Sequence, residues 1–142
     1  MIILAIDPGY ERLGIVVLEK KRGKKESVIF SETFKTSAKE IFTERLFKLG
    51  QRIEKIIEKY NTEVLSIEKL FFNTNQKTST MVSETRGAIL YIAKKNKMDI
   101  FEYTPLEIKS AITGDGRADK KQVIFILKKL IKIDKNIKYD DE

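Results

Sequence analysis

The chain has 142 residues, of which 42% are hydrophobic and 35% charged; this fits one compact domain with a real core and excludes global disorder. It contains no cysteine, histidine or tryptophan, which excludes disulfides, thiolate or imidazole metal sites, and Cys–His or Ser–His–Asp catalysis. The 28 Lys+Arg against 21 Asp+Glu leave a formal charge of +7, a balance that favours a polyanionic partner such as nucleic acid.

Any chemistry must therefore run on carboxylates, lysines, hydroxyls or a bound metal. Lysine greatly outnumbers arginine, which suits contact with phosphate better than bidentate recognition of guanine. The N-terminal apolar run is too short for a signal peptide or a membrane span, so a cytoplasmic protein with no membrane association is expected.

Ile2–Ile6 is a short apolar run ending at Asp7-Pro8-Gly9, the pattern of a buried central strand closed by a turn. Leu13 to Leu18 predicts a second strand and Ser27 to Phe34 a third, with a charged turn centred on Gly23 between them. Connections this short make the three an antiparallel meander. A helix is predicted from about Ser37 to Tyr60, where Phe42, Leu46, Leu49, Ile53, Ile56, Ile57 and Tyr60 recur three or four residues apart.

Glu63 to Ile67 predicts a fourth strand and Phe72 to Thr78 a polar loop. Thr80 to Lys95 predicts a helix whose Gly87 and Ala88 would allow close approach of a neighbour. Asp99 to Tyr103 predicts a fifth strand. Thr104-Pro105 should cap and start a short helix ending at Gly114-Asp-Gly116, and Asp119 should cap a last helix running to about Ile133. The expectation is an α/β domain: a five-stranded mixed sheet, made of a three-strand antiparallel meander plus two parallel strands, flanked by helices.

Two carboxylates stand at strand ends. Asp7 closes the first strand and Glu68 the fourth, and parallel neighbours present their ends on one edge of the sheet. At 4 Å such a pair repels by about 4 kcal/mol at an effective dielectric of 20. One of them must bind a proton or a cation must sit between them. Hard divalent cations prefer oxygen ligands, and such a centre serves phosphodiester hydrolysis. Taken singly, Asp7 reads as functional ahead of the alternative that it simply starts the Asp-Pro-Gly turn, whereas the acidic end Asp140-Asp141-Glu142 has the composition of a solvated tail.

Five segments in order resemble the RuvC family of Holliday junction resolvases, within the RNase H-like superfamily. They are Ile6-Asp7-Pro8-Gly9 with Leu13-Gly14, then Ile67-Glu68-Lys69-Leu70-Phe71, then Arg86-Gly87, then a block with Pro105, Lys109, Gly114-Asp-Gly116, Lys120 and Gln122-Val123, and last the acidic end. The resemblance implies a homodimeric, Mg²⁺-dependent endonuclease (Mn²⁺ substituting) that cuts four-way DNA junctions and works with the RuvA–RuvB branch-migration complex. It also implies that Asp7, Glu68 and Asp141 ligate metal, with Asp140 the alternative acid. Lys120 would assist catalysis, Lys109 and Lys120 would contact DNA, and Phe71 would stack on a junction base. By residue type alone, Asn73 and Lys77 in the polar loop offer sugar-phosphate or base-edge contacts, or plain solvent exposure. By resemblance the helix carrying Arg86 would form the dimer surface.

The family pattern places a further acid three residues after Asp141, beyond Glu142. The 1–142 chain is therefore expected to be a single nuclease domain without its last helix, able to bind junctions but weak in cleavage. Two other readings fit parts of the sequence: an RNase H-like nuclease of the YqgF type, and a non-catalytic basic nucleic-acid-binding domain.

Overall fold

The computed structural model describes residues 1–9, 11–70 and 76–133. In chain order the elements are β1 (Ile2–Asp7), β2 (Arg12–Glu19), β3 (Ser27–Lys35), α1 (Phe42–Tyr60), β4 (Val64–Glu68), α2 (Gln76–Lys95), β5 (Asp99–Tyr103), α3 (Pro105–Thr113), α4 (Lys120–Leu130) and β6 (Lys132–Ile133). The sheet order is β5-β4-β1-β2-β3-β6. β1 to β3 form the expected antiparallel meander, and β4 and β5 run parallel to β1 on its other side.

Alternation along the strands sorts the two faces of the sheet. Leu4 lies opposite Val17 and Leu65, and Ile6 opposite Ile15 and Ile67, so these apolar side chains share one face. All six are buried. They join Leu49, Ile53, Ile56 and Ile57 of α1 and Ile89, Ile92 and Ala93 of α2 in one core cluster. Each such side chain contributes about 1.5–3 kcal/mol on burial. The opposite face, with Ile3, Ala5, Val16 and Ser66, is only half-buried. Asp7 and Glu68 follow its parity.

Several element boundaries differ from expectation, each for a local reason. The helix expected from Ser37 begins at Phe42, because Ser37 closes a turn of its own. Its Oγ accepts from Lys39 N at 3.2 Å and its carbonyl from Glu40 N at 3.1 Å. The chain then resets at Ile41, in an extended conformation that gives no side-chain cap. Gln76 and Lys77, expected in a loop, belong to the first turn of α2. The last helix stops at Leu130 rather than Ile133, and Lys132–Ile133 instead add a sixth strand along β3. The capping predictions match: Thr104 with Glu107, and Asp119 with Gln122, each form a reciprocal capping box.

Gly87 mediates no close contact among the described residues, since a Cβ there would meet none of them within 4 Å. The close approach of α1 and α2 falls at Gly50, where an added Cβ would lie 3.4 Å from Ile92 Cδ1, an ordinary van der Waals separation. Gly50→Ala should therefore stabilise the fold, by up to about 1 kcal/mol from helix propensity. Urea denaturation measures this, and a loss of stability would show that α1 and α2 have no slack there.

Candidate active site

The site is built by strand register. β1 and β4 are parallel, and the last registered pair is Ile6 with Ile67. The next residue on each strand is a carboxylate, Asp7 on β1 and Glu68 on β4. Both fall on the half-buried face at the same edge, where Asp7 is exposed and Glu68 half-buried. Glu68 also lies opposite Tyr103 at the end of β5, and Lys69 N donates to the Tyr103 carbonyl at 2.8 Å, which ties off the edge beyond Glu68.

Electrostatics confirm the proximity. Desolvation at the strand end raises the Glu68 pKa, and the neighbouring charge of Asp7 raises it further. Among the described residues no cation is ion-paired with either carboxylate, so the pair keeps its mutual repulsion.

Small residues keep the space around Asp7 open. Gly14 lies directly opposite Asp7 on β2, and a Cβ there would come within 3.2 Å of the Asp7 Cβ. A Cβ on Gly9 would meet the Arg12 carbonyl oxygen at 2.2 Å, so the turn after Asp7 closes only around glycine.

Two arginines brace this edge. Arg86 of α2, a largely buried side chain, donates from Nε to the Glu68 carbonyl at 3.2 Å and pairs through its guanidinium with Glu102 of β5. It thus pins the backbone that carries Glu68 instead of presenting its charge outward. Arg45 of α1 is buried; its Nε donates to Thr36 Oγ1 at 2.9 Å and its guanidinium lies 4.0 Å from Glu11, in the segment following Asp7-Pro8-Gly9. Thr36 N donates to the Glu11 carbonyl at 3.1 Å, which completes the brace. Sequence periodicity flagged neither function. The signal for Arg45 was a charged residue within the apolar stripe of α1. For Arg86 it was the Arg86-Gly87 pair, assigned instead to a dimer face.

Of the other expected site residues, Phe71, Asn73, Asp140 and Asp141 lie outside the described residues, as does the Lys77 side chain. Lys109 is half-buried on α3 and Lys120 is exposed at the first position of α4. Among the described residues neither lysine bonds to Asp7 or Glu68. The Gly-Asp-Gly and Gln motifs around them are structural. Gly114 ends α3 in a left-handed conformation at φ 78°. A Cβ on Gly116 would come within 2.8 Å of the Leu106 and Ser110 side chains, so α3 packs tightly on this turn. Gln122 is spent on the α4 capping box, accepting from Asp119 N at 2.9 Å.

The sheet order and the carboxylates closing adjacent parallel strands define a domain of the RNase H-like class. Comparison narrows this. A family model described as crossover junction endodeoxyribonuclease RuvC matches residues 3–142. A protein of that name from Petrotoga mobilis is 42% identical over 141 residues, covering 99% of this chain and 86% of its own length. One from Alkaliphilus metalliredigens is likewise 42% identical, covering 99% and 85%. The solved structure of T. thermophilus RuvC in complex with a Holliday junction substrate superposes with a TM-score of 0.89 at 26% identity, covering 99% of this chain and 85% of that one. The chain belongs to the RuvC family.

The raised Glu68 pKa has a consequence for stability. The folded state holds the Glu68 proton more tightly than the unfolded state, so this contribution is full at acid pH and is lost as pH rises through the folded value. Without divalent ions, Glu68→Gln should raise Tm at pH 7 by about 2 °C, a small effect because the group is half-solvated, and give no gain near about pH 3. Thermal melts across pH in EDTA check this; an unchanged or lower Tm at pH 7 would contradict the unrelieved repulsion.

Proposed function

We propose that this protein is a divalent-metal-dependent endodeoxyribonuclease that resolves four-way DNA junctions by phosphodiester hydrolysis. The observation that carries this is the adjacency of Asp7 and Glu68 at one sheet edge, mutually repelling and unrelieved by a cation among the described residues, in a chain of the RuvC family.

The donor set fits a hard divalent cation. It is all oxygen, anionic and half-solvated, which suits Mg²⁺, with Mn²⁺ able to substitute. Asp141, or Asp140 in its place, completes the set. A divalent ion bound there supplies charge neutralisation at the scissile phosphate and a more acidic water.

The protein's own contribution is placement. β1 and β4 hold the two carboxylates at fixed register, and Gly14 leaves room beside Asp7 for a phosphate oxygen or water. Arg86 positions Glu68 from behind. Lys109 and Lys120 contact the DNA backbone, and Lys120 stands at a helix start where phosphate is favoured. Lys120 also assists catalysis by stabilising charge at the reacting phosphate. Phe71 stacks on an unpaired base, with Asn73 and Lys77 contacting the strand beside it.

Paired cuts on opposed strands require two sites, which a homodimer provides. Arg86 is turned inward, so the dimer surface on α2 is its outward face, where Tyr91 stands 70% exposed beside Phe47 of α1 at 61%. The RuvA–RuvB complex is the proposed assembly partner. Among the described residues no helix is long and apolar enough to cross a membrane.

Asp7→Asn separates nuclease from simple binder. It should lower Mg²⁺-dependent junction cleavage about a hundredfold or more while leaving junction binding intact or tighter, since one negative charge is removed from the phosphate's path. Cleavage of a labelled four-way junction beside a plain duplex, with gel-shift binding in Ca²⁺, reads both. Undiminished cleavage by the variant would overturn the Asp7–Glu68 site, and junction binding without cleavage by either form would overturn the nuclease reading.

A further inference from the structure

The structure joins two lysine-rich segments that the sequence keeps far apart. The turn between β2 and β3, residues 20–25, carries five cations around Gly23, whose φ is 72°. The end of α4 and the start of β6 add Lys128, Lys129 and Lys132. Lys25 Nζ donates to the Lys129 carbonyl at 2.9 Å, a contact across 104 residues, and Lys132 N donates to the Glu26 carbonyl at 2.8 Å. β6 then pairs with Ser27 and Val28 of β3.

Eight basic residues therefore gather at this end with two acids among the described residues, Glu19 at 3.0 Å from Lys21 and Glu26 at 3.5 Å from Lys20, while the Lys129 ammonium lies 4.1 Å from the centre of the Phe125 ring. All eight basic residues are exposed. A lysine-rich turn alone would be a solvated face. Here hydrogen bonds and strand pairing hold like charges together against their repulsion, at a cost that a bound polyanion relieves. The helix dipole accounts for cations in the last turn of α4, such as Lys128 and Lys129, but not for Arg22, Lys24 or Lys132.

The position of this cluster matters. β2 runs from Arg12, near Asp7, to Glu19, which lies opposite Ile2. The cluster is thus at the end of the sheet remote from the carboxylates, about 23 Å away over seven steps of about 3.3 Å. α3 starts at the carboxylate edge, directly after Tyr103, and packs on α4, whose end reaches the cluster. On α4, Lys121 and Lys128 are seven residues apart and so share a helix face, and both are exposed.

We infer that the 20–25 turn and the α4–β6 junction form a second phosphate-binding surface, which holds the backbone of a duplex arm of the junction about seven base pairs from the cut. This rests on the proposed junction-resolving function and deepens it. The turn bears no apolar side chain, and lysine's point charge suits phosphate without base recognition. The surface adds affinity and arm orientation, not sequence preference.

The test is a quadruple variant, Arg22→Gln, Lys24→Gln, Lys128→Gln and Lys132→Gln, beside a charge-matched control on the α1–α2 layer, Lys55→Gln, Lys59→Gln, Lys94→Gln and Lys97→Gln. Fluorescence anisotropy with a four-way junction of about 20-bp arms, at several salt concentrations, gives Kd and its salt slope. The first variant should raise Kd at least about tenfold near 0.1 M salt and make the slope shallower by about 3.6 for four lost contacts, at about 0.9 each. It should also lose hydroxyl-radical protection about seven base pairs from the cut. The control should change Kd less than about twofold, and far-UV circular dichroism should show both variants folded.

Equal losses in both variants, or an unchanged Kd and footprint in the first, would overturn the surface. Should Asp7→Asn cleave undiminished while the first variant binds weakly, the Asp7–Glu68 site falls and the surface stands. Should Asp7→Asn abolish cleavage while the first variant binds normally, only the surface falls. A wild-type chain that binds no junction would sink both.

Discussion

Repulsion between two carboxylates closing adjacent parallel strands is the constraint around which this molecule is organised. Asp7 and Glu68 owe their adjacency to backbone hydrogen bonding, because the register that pairs Ile6 with Ile67 leaves the next residues no other place to go. Burial at the strand end, and secondarily the charge of Asp7, raise the Glu68 pKa, so both oppose that placement. The fold holds them there through the buried face of the same strands, where Leu4, Ile6, Leu65 and Ile67 pack against α1 and α2. Alternation puts the apolar anchor and the polar site on opposite sides of a single strand, so stability and chemistry draw on different residues of the same segment.

The surroundings of the pair divide into groups that make room and groups that fix position. Gly14 and Gly9 make room, one beside the Asp7 side chain and one in the turn that follows it. Arg86 and Arg45 fix position, each from a helix on the covered face and each bonded to backbone or to residues flanking the acids. Among the described residues, the ion pairs of both arginines go to Glu102 and Glu11 rather than to the two strand-end acids.

Much of this was legible in the sequence because it rests on local rules. The meander followed from short connections, the central strand from an apolar run ended by Asp-Pro-Gly, and the helix starts at Pro105 and Lys120 from their capping residues Thr104 and Asp119. The carboxylate pair followed from the parallel order of β1 and β4. What escaped was non-local. Arg45 interrupts the apolar stripe of α1, and only the tertiary structure shows that it is buried against Thr36 and Glu11. Arg86 carries the same charge whether it faces a partner subunit or the Glu68 carbonyl, and spacing does not distinguish them. Ser37 favours a helix start and a tight turn equally, and the turn won. Lys132–Ile133 continue a helical pattern, yet pairing with β3 outweighs propensity, as edge pairing often does for short segments.

The α3–α4 pair links the two ends of the sheet, running from the carboxylate edge after Tyr103 to the strand added beside Ser27 and Val28. Acidic charge stands at one end and charge of the opposite sign accumulates at the other, on the turn and the α4 end, a polarity suited to a substrate longer than the domain. All of it presupposes that Asp7 and Glu68 grip one ion between them. The most direct measurement is anomalous diffraction from a crystal soaked in Mn²⁺. The account predicts one strong peak about 2.1 Å from an oxygen of each carboxylate; a peak touching only one of them, or none at this edge under saturating Mn²⁺, would contradict it.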